Sequence, residues 1–413
     1  MKRIFSIVLF VLCWIELPLF AGSYRLQVNA GAYERQDCVV GADVSSIPLK
    51  EGTTFQLFEL REKKKLPVAS QLVVENGRAV LYFALEGITE ANEVRSYLLK
   101  TKKLKKQTGA VMEVEDDSNS LILKKGGQPI LAYKYTVTMP PAGVDPVFQR
   151  SGYIHPAYTP SGFVLTTIQP KDHRHHYGIW NPWTKLEYDG TIYDLWNLGD
   201  RKGTVRADGI DKTFQGAVMS GFDAKLNHII FTPNGEKKIM NEMWKVKAWH
   251  VGEGFLWDFE SDLMPSTNLP VLLKEYRYAG FGYRANEVWT NKNCIMMTSE
   301  GKSRQQIDGS RARWIYITGT SPSGHSGLLF LGAPDNYNSP EPLRIWDENA
   351  NGRRGDAFIN FAPTKNMDWN LESGKQYKLR YRLYAYDGEM SPERANELWN
   401  DFAYPPTVEL ILK

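Results

Sequence analysis

Tyr377-Lys378-Leu379-Arg380-Tyr381-Arg382-Leu383-Tyr384-Ala385-Tyr386 decides the fold class of this chain. Tyr377, Leu379, Tyr381, Leu383 and Ala385 take every second position, and Lys378, Arg380, Arg382 and Tyr384 fill the gaps. A period of two belongs to a strand, and this one predicts a sheet with one buried side. The same pattern extends backwards. Residues 54–60 alternate, and residues 79–85 read as a buried strand. Residues 111–135 predict a strand series with a hairpin at Lys125-Gly126-Gly127. Further strands are expected at 163–168, 245–251, 255–263, 313–319 and 327–331. One helix is expected near the C-terminus, with Ser391 as its cap and Pro392 in its first turn. No glycine-rich phosphate loop follows a strand and no βαβ rhythm recurs, which disfavours nucleotide-binding folds. The chain therefore reads as mainly β.

Residues 1–21 read as a secretory signal peptide. Lys2 and Arg3 precede an apolar run, and Leu19-Phe20-Ala21 offers a cleavage site. Glu16 and Pro18 break the run, which is short for a membrane span, and no later segment is long and apolar enough. A secreted or periplasmic location follows as an expectation. The Lys-rich stretch 101–109 reads as a boundary. It separates a small N-terminal β-sandwich at 22–107 from a larger domain at 108–413. Removing Lys2, Arg3 and Glu16 takes the formal charge from +3 to +2, and no basic stripe interleaved with aromatics points to nucleic acid. The clusters Lys63-Lys64-Lys65 and Lys102-Lys103 read as solvated loops or strand ends. The mature chain keeps Cys38 and Cys294, too few for a thiolate metal site. A disulfide between them and two unpaired thiols are both compatible with the sequence.

The chemistry concentrates in 151–203. Lys171-Asp172-His173-Arg174-His175-His176-Tyr177-Gly178 holds three of the seven histidines, and His155 lies shortly before. Imidazole changes charge nearest neutral pH and is the commonest metal ligand. If this segment is extended, His173 and His175 share one face and His176 takes the other; on a turn all three converge. Two readings stand: acid/base catalysis or, if a divalent metal is bound, ligation by His173, His175 and His176. Trp180, Trp183 and Trp196 nearby suit the apolar face of a sugar ring.

A second constellation joins Lys274-Glu275-Tyr276-Arg277 to Gly282-Tyr283-Arg284. It reads equally as a pocket of carboxylate, phenol and cations or as a cross-strand ion-pair ladder. A third contains Arg313, able to clamp a carboxylate, and the loop Asp335-Asn336-Tyr337-Asn338. Expected catalytic groups are His173, His175, His176, Glu275 and Tyr283. Expected binding groups are His155, Trp180, Trp183, Lys274, Arg284, Arg313 and Asn336.

Several of these motifs together resemble one family. Ser151-Gly152-Tyr153-Ile154-His155-Pro156, Asp172-His173, His175-His176-Tyr177-Gly178-Ile179-Trp180, Lys274-Glu275, Gly282-Tyr283-Arg284 and Arg313-Trp314 look like the signature of the PmoA-like family, labelled "methane oxygenase". Arg174 and Tyr177 stand where that family often carries proline and arginine. The resemblance covers roughly residues 111–388. It implies a galactose-mutarotase-like β-supersandwich and a role beside polysaccharide degradation. A membrane methane monooxygenase would need apolar spans that this chain lacks. The expected function is a carbohydrate-active enzyme on oligosaccharides, a lyase or dehydratase of the β-elimination type or a hydrolase. A non-catalytic glycan-binding protein and a non-haem metal oxygenase are the alternatives.

Overall fold

The computed structural model describes residues 23–62, 64–75, 77–104 and 111–411. The expected signal peptide and most of the Lys-rich boundary lie outside the described residues. The protein is mainly β, as the alternating patterns predict.

Two eight-stranded antiparallel sheets stack to form the large unit. The front sheet runs Leu343–Ile345, Phe358–Phe361, Gly282–Arg284, Ile179–Trp180, Tyr153–Ala157, Gln128–Lys134, Ser120–Lys125, Met112–Asp116. The back sheet runs Gly203–Phe214, Met219–Thr232, Gly235–Trp249, Phe255–Pro265, Tyr377–Asp387, Gly324–Gly332, Trp314–Ser321, Cys294–Thr298. Alternation turns one face of each sheet inward. Leu121, Tyr133, Ile179, Tyr283 and Ile359 from the front meet Phe222, Trp244, Phe259 and Leu383 from the back. Phe281 sits between them, 5.0 Å from the Phe259 ring and stacked at 4.5 Å on Tyr381. A polar knot also joins the sheets. Glu242 Oε1 accepts from Asn181 (2.6 Å), Ser261 (2.5 Å) and Trp244 (2.7 Å), and Oε2 bonds His228 at 2.8 Å.

The small sandwich pairs a five-stranded sheet with a three-stranded one around Leu26, Val28, Val40, Leu57, Phe83 and Leu99. Its edge strand is Thr407–Ile411, paired antiparallel with Ser23–Asn29 in the register Leu26↔Leu410 and Val28↔Val408. A boundary at 107 therefore does not divide the chain into contiguous units, because the C-terminal strand returns to close the first. The small sandwich seats Val39, Tyr82 and Ala84 on Val218, Met219, Trp249 and Leu256 of the back sheet. Helix Pro392–Ala403, capped by Ser391 as expected, lays Leu398 and Trp399 over Trp314, Leu329 and Leu331.

These coverings correct the reading of Tyr377–Asp387 as half solvated. Arg382 and Tyr386 on its second face are buried, and Arg382 holds Asp258 through two bonds of 2.6 and 3.0 Å. The expected strand at 163–168 is not formed. That segment makes only isolated bridges, Tyr158↔Val164, Thr166↔Ala285 and Ile168↔Tyr177. Cys38 and Cys294 are buried and free, one in each unit. No helix among the described residues is long and apolar enough to cross a membrane.

Phe281→Ala removes the ring that fills the space between the sheets. It should lower unfolding free energy by about 3–5 kcal/mol in a urea titration. A loss below about 1 kcal/mol would show that the core is filled some other way.

Candidate functional site

Three short front-sheet strands carry the site. Ile179, Tyr283 and Ile359 are register partners and face the core. Alternation then sends Trp180, Arg284 and Phe358 to the outer face. There they join Tyr153, Tyr177, Trp196, Leu198 and Trp346 in a second aromatic layer. Gly282 makes room for it, since a Cβ there would come within 3.1 Å of the Trp196 ring. Gly178, at φ 57°, lets the backbone approach the Ile154 carbonyl, which a Cβ would meet at 2.3 Å.

The histidines reach this layer on a turn, not on a strand. His173 N donates to Pro170 O (3.1 Å), His176 N to His173 O (3.0 Å), and Gln169 N to His176 O (2.8 Å). The turns gather the rings. His173 and His176 stack at 4.8 Å, and His175 stands edge-on to His176 at 4.8 Å. Trp346 covers both His173 (4.6 Å) and His176 (5.4 Å). Among the described residues no three His, Cys, Asp or Glu side chains are placed to hold a metal ion. Nδ1 of His173 is bonded to Asp172.

Charge is arranged around Asp172. Its Oδ2 takes His173 Nδ1, Arg354 Nη2 at 2.6 Å and Arg284 Nη2 at 3.7 Å. Asp356 pairs with the same two guanidiniums, at 2.7 and 3.4 Å. Burial opposes ionisation of Asp172, but the His173 hydrogen bond and Arg284 outweigh it and hold the carboxyl at about 2. An ionised carboxylate only accepts, so the His173 proton sits on Nδ1 and Nε2 keeps its lone pair. Burial lowers His173, and Asp172 partly offsets this. Burial with the charges of His173 and Arg150 brings His175 to about 4, and burial puts His176 well below the usual imidazole range. At neutral pH these are uncharged bases, and the positive charge belongs to the arginines.

Sequence reasoning missed half of this site. Trp346, Arg354, Asp356 and Phe358 lie some 170 residues beyond the histidines, and Arg150 lies before them. The tandem Arg353-Arg354-Gly355-Asp356 was the available signal. Arg304 ties both ends of that loop, donating to Trp346 O (2.9 Å), Gly355 O (2.9 Å) and Asp356 O (2.5 Å). Tyr278, between the two halves of the second constellation, accepts from Arg344 and from Trp346 Nε1, both at 3.0 Å.

Of the expected residues, His173, His175, His176, Trp180 and Arg284 come together. Trp180 is a buried member of the layer, not an open platform. The others lie elsewhere. His155 bonds Thr166 at 2.8 Å and is brought to about 4 by burial and Lys134. Tyr283 is wholly buried, donates to Leu165 O at 2.7 Å, and burial raises its phenol well above the usual value. Neither substrate nor solvent reaches it. Trp183 is core, 6.0 Å from Trp369. Lys274 pairs with Asp368 (3.1 Å) and Glu187 (3.8 Å) beside an exposed Glu275, the ion-pair ladder rather than the pocket. Arg313 covers Trp399 at 4.8 Å, and Asn336 bonds Glu341 at 2.7 Å and Arg380 O at 2.9 Å.

A groove of about 340 Å³ lies away from these groups, on the back sheet beneath the small sandwich. Its charges are satisfied by one another, as in Lys245 with Glu260 and Asp262. The histidine site differs because donors there are left unpaired.

Residues 120–400 match a family of unknown function, DUF6807. The chain belongs to this family. No curated protein matches the DUF6807 chain. Solved structures match it in fold only. A protein in the Glycosyl Hydrolase Family 38 from Enterococcus faecalis is 7% identical, with a TM-score of 0.46 over 94% of this chain and 47% of its own. An alpha-mannosidase from Enterococcus faecalis V583 is 7% identical, with a TM-score of 0.43 over 94% and 46%. A galactose mutarotase-like protein from Lactobacillus casei ATCC 334 is 11% identical, with a TM-score of 0.34 over 66% and 99%. The DUF6807 chain spans about half the length of the first two.

The depressed histidines make stability depend on pH. The unfolded chain takes up protons near the ordinary imidazole value of about 6.5, whereas His155 and His175 in the fold resist them down to about 4. Stability is therefore full above about 6.5 and falls as pH drops through this window. Urea midpoints between pH 7.5 and 5 should fall in the native protein and fall less in His155→Gln/His175→Gln. Parallel curves would contradict the burial of neutral imidazoles.

Proposed function

We propose that this DUF6807 protein is a secreted or periplasmic carbohydrate-active enzyme that cleaves or dehydrates oligosaccharides by β-elimination. The observation that carries the reading is the contact of one carboxylate oxygen, Asp172 Oδ2, with both His173 Nδ1 and Arg284 Nη2. That contact sets a neutral imidazole base beside a guanidinium. Elimination needs this pair, because a proton must leave a carbon next to a carbonyl or carboxylate while negative charge grows on the oxygen.

His173 Nε2 takes the proton. The C–H electron pair forms the new C=C bond as the β C–O bond breaks, and the departing oxygen takes a proton back. Arg284 and Arg354 stabilise the enolate-like charge. Asp172 holds the ring in the tautomer that leaves Nε2 free and stabilises the imidazolium as it forms. Tyr278, whose oxygen already accepts twice, has its own proton to offer a leaving oxygen. The sequence resemblance to the PmoA-like family, with its polysaccharide context, supports the same substrate class.

The test is mass spectrometry of plant and algal oligosaccharides incubated with the protein. Cleavage without gain of water supports elimination. Loss of water without cleavage supports dehydration. Gain of water on cleavage would replace this reading with hydrolysis. His173→Ala and Asp172→Asn should each lower kcat by about 10²–10⁴-fold. In the native protein activity should fall on the acid side, with a midpoint below about 6.5. Asp172→Asn, which removes the group that raises His173, should move that limb to lower pH. An unmoved limb would remove Asp172 from the mechanism.

A further inference from the structure

Several buried hydrogen-bonding groups of the outer-face site have no partner within the protein. Arg284 is 3% exposed. Its Nη2 meets Asp172 and Asp356, but its Nη1 has no partner. Trp180 Nε1 and His176 Nδ1, both buried, have none either. The three side chains form one cluster. The His176 ring lies 5.1 Å from Trp180, and Trp346 touches both the His176 ring (5.4 Å) and the Arg284 guanidinium (4.9 Å). Arg150, 2% exposed behind Tyr177, adds two more unpaired nitrogens, Nε and Nη1.

Arg284 and Arg354 share two carboxylates, Asp172 and Asp356, while Arg150 lies against the Tyr177 ring and leaves Nε and Nη1 without a partner. Buried guanidiniums normally find partners, because an unpaired buried charge is strongly unfavourable. Unpaired donors around a buried guanidinium suit an anionic acceptor with several lone pairs.

We propose that the ligand is an acidic sugar and that its carboxylate is received by Arg284 Nη1 with Trp180 and His176. The inference rests on the location of the site proposed above, not on its reaction. The way in is through Arg354, whose side chain is 42% exposed and whose pair with Asp172 is therefore weakly held. A carboxylate that takes its place meets Arg284, which shares Asp172 and Asp356 with it.

The test is calorimetric binding of hexuronate tetrasaccharides, their methyl esters and sulfated neutral tetrasaccharides of the same length. The acid should bind at least about tenfold tighter than the ester, as expected of a charge-assisted bond to a buried guanidinium. Arg284→Met should bring that ratio below about threefold. Trp180→Phe keeps an aromatic ring and removes one donor, so it should narrow the ratio without taking a buried cation out of the fold; thermal melting checks both variants. Equal binding of acid and ester, no binding of any acidic sugar, or a ratio unchanged in both variants overturns the proposal. Tighter binding of the sulfated sugar overturns the carboxylate assignment. Acid-selective binding without any product leaves this inference standing and removes the elimination. Turnover of acid and ester with equal affinity does the reverse.

Discussion

Ile179, Tyr283 and Ile359 stand side by side in three paired strands and point into the sandwich. That one row determines the rest of the site. Because successive side chains on a strand oppose each other, burying this row puts Trp180, Arg284 and Phe358 on the outer face. A slip of one residue in any of the three strands would turn an outer-face side chain into the core, and in the middle strand that side chain is a guanidinium. The hydrophobic cost of such a slip is what holds the chemistry in place, and the histidine turn and the loop carrying Trp346 only dock on what the row presents.

Inside the sandwich the same logic handles polarity differently. Glu242 is wholly buried, yet both its oxygens are bonded, by Asn181, Ser261, Trp244 and His228. These bonds tie the two sheets together and add specificity to a core that apolar contacts alone would leave less defined, while Asn181 Oδ1 and His228 Nδ1 find no partner there. On the outer face the network is left open. Arg284, Arg150 and Trp180 keep donors, and His176 a ring nitrogen, without partners.

The histidines illustrate how burial changes what a residue can do. In water an imidazole would be partly charged near neutral pH. Here the aromatic layer removes that option for His175 and His176. Asp172 restores part of the basicity to His173 alone, the partly exposed member it bonds. One base is thereby singled out from three, while the permanent cations stay on arginine.

The alternation in residues 377–386, the hairpin glycines at 126–127 and the Ser391-Pro392 cap were legible because they are local. Each depends on residues within one turn or one pleat, so the sequence by itself determined a mainly β protein and marked the histidine turn as a candidate site. It did not determine which distant residues complete that site. Lys274, Glu275 and Tyr283 read as pocket residues by type, but register put Tyr283 inward and Lys274 onto Asp368. Arg150, Trp346, Arg354 and Asp356 read as nothing in particular until strand order brought them to the histidines. The closing of the small sandwich by Thr407–Ile411 was hidden for the same reason. Strand pairing is long-range, and its register is chosen by the burial of whole faces, a quantity that exists only once the sheets have met.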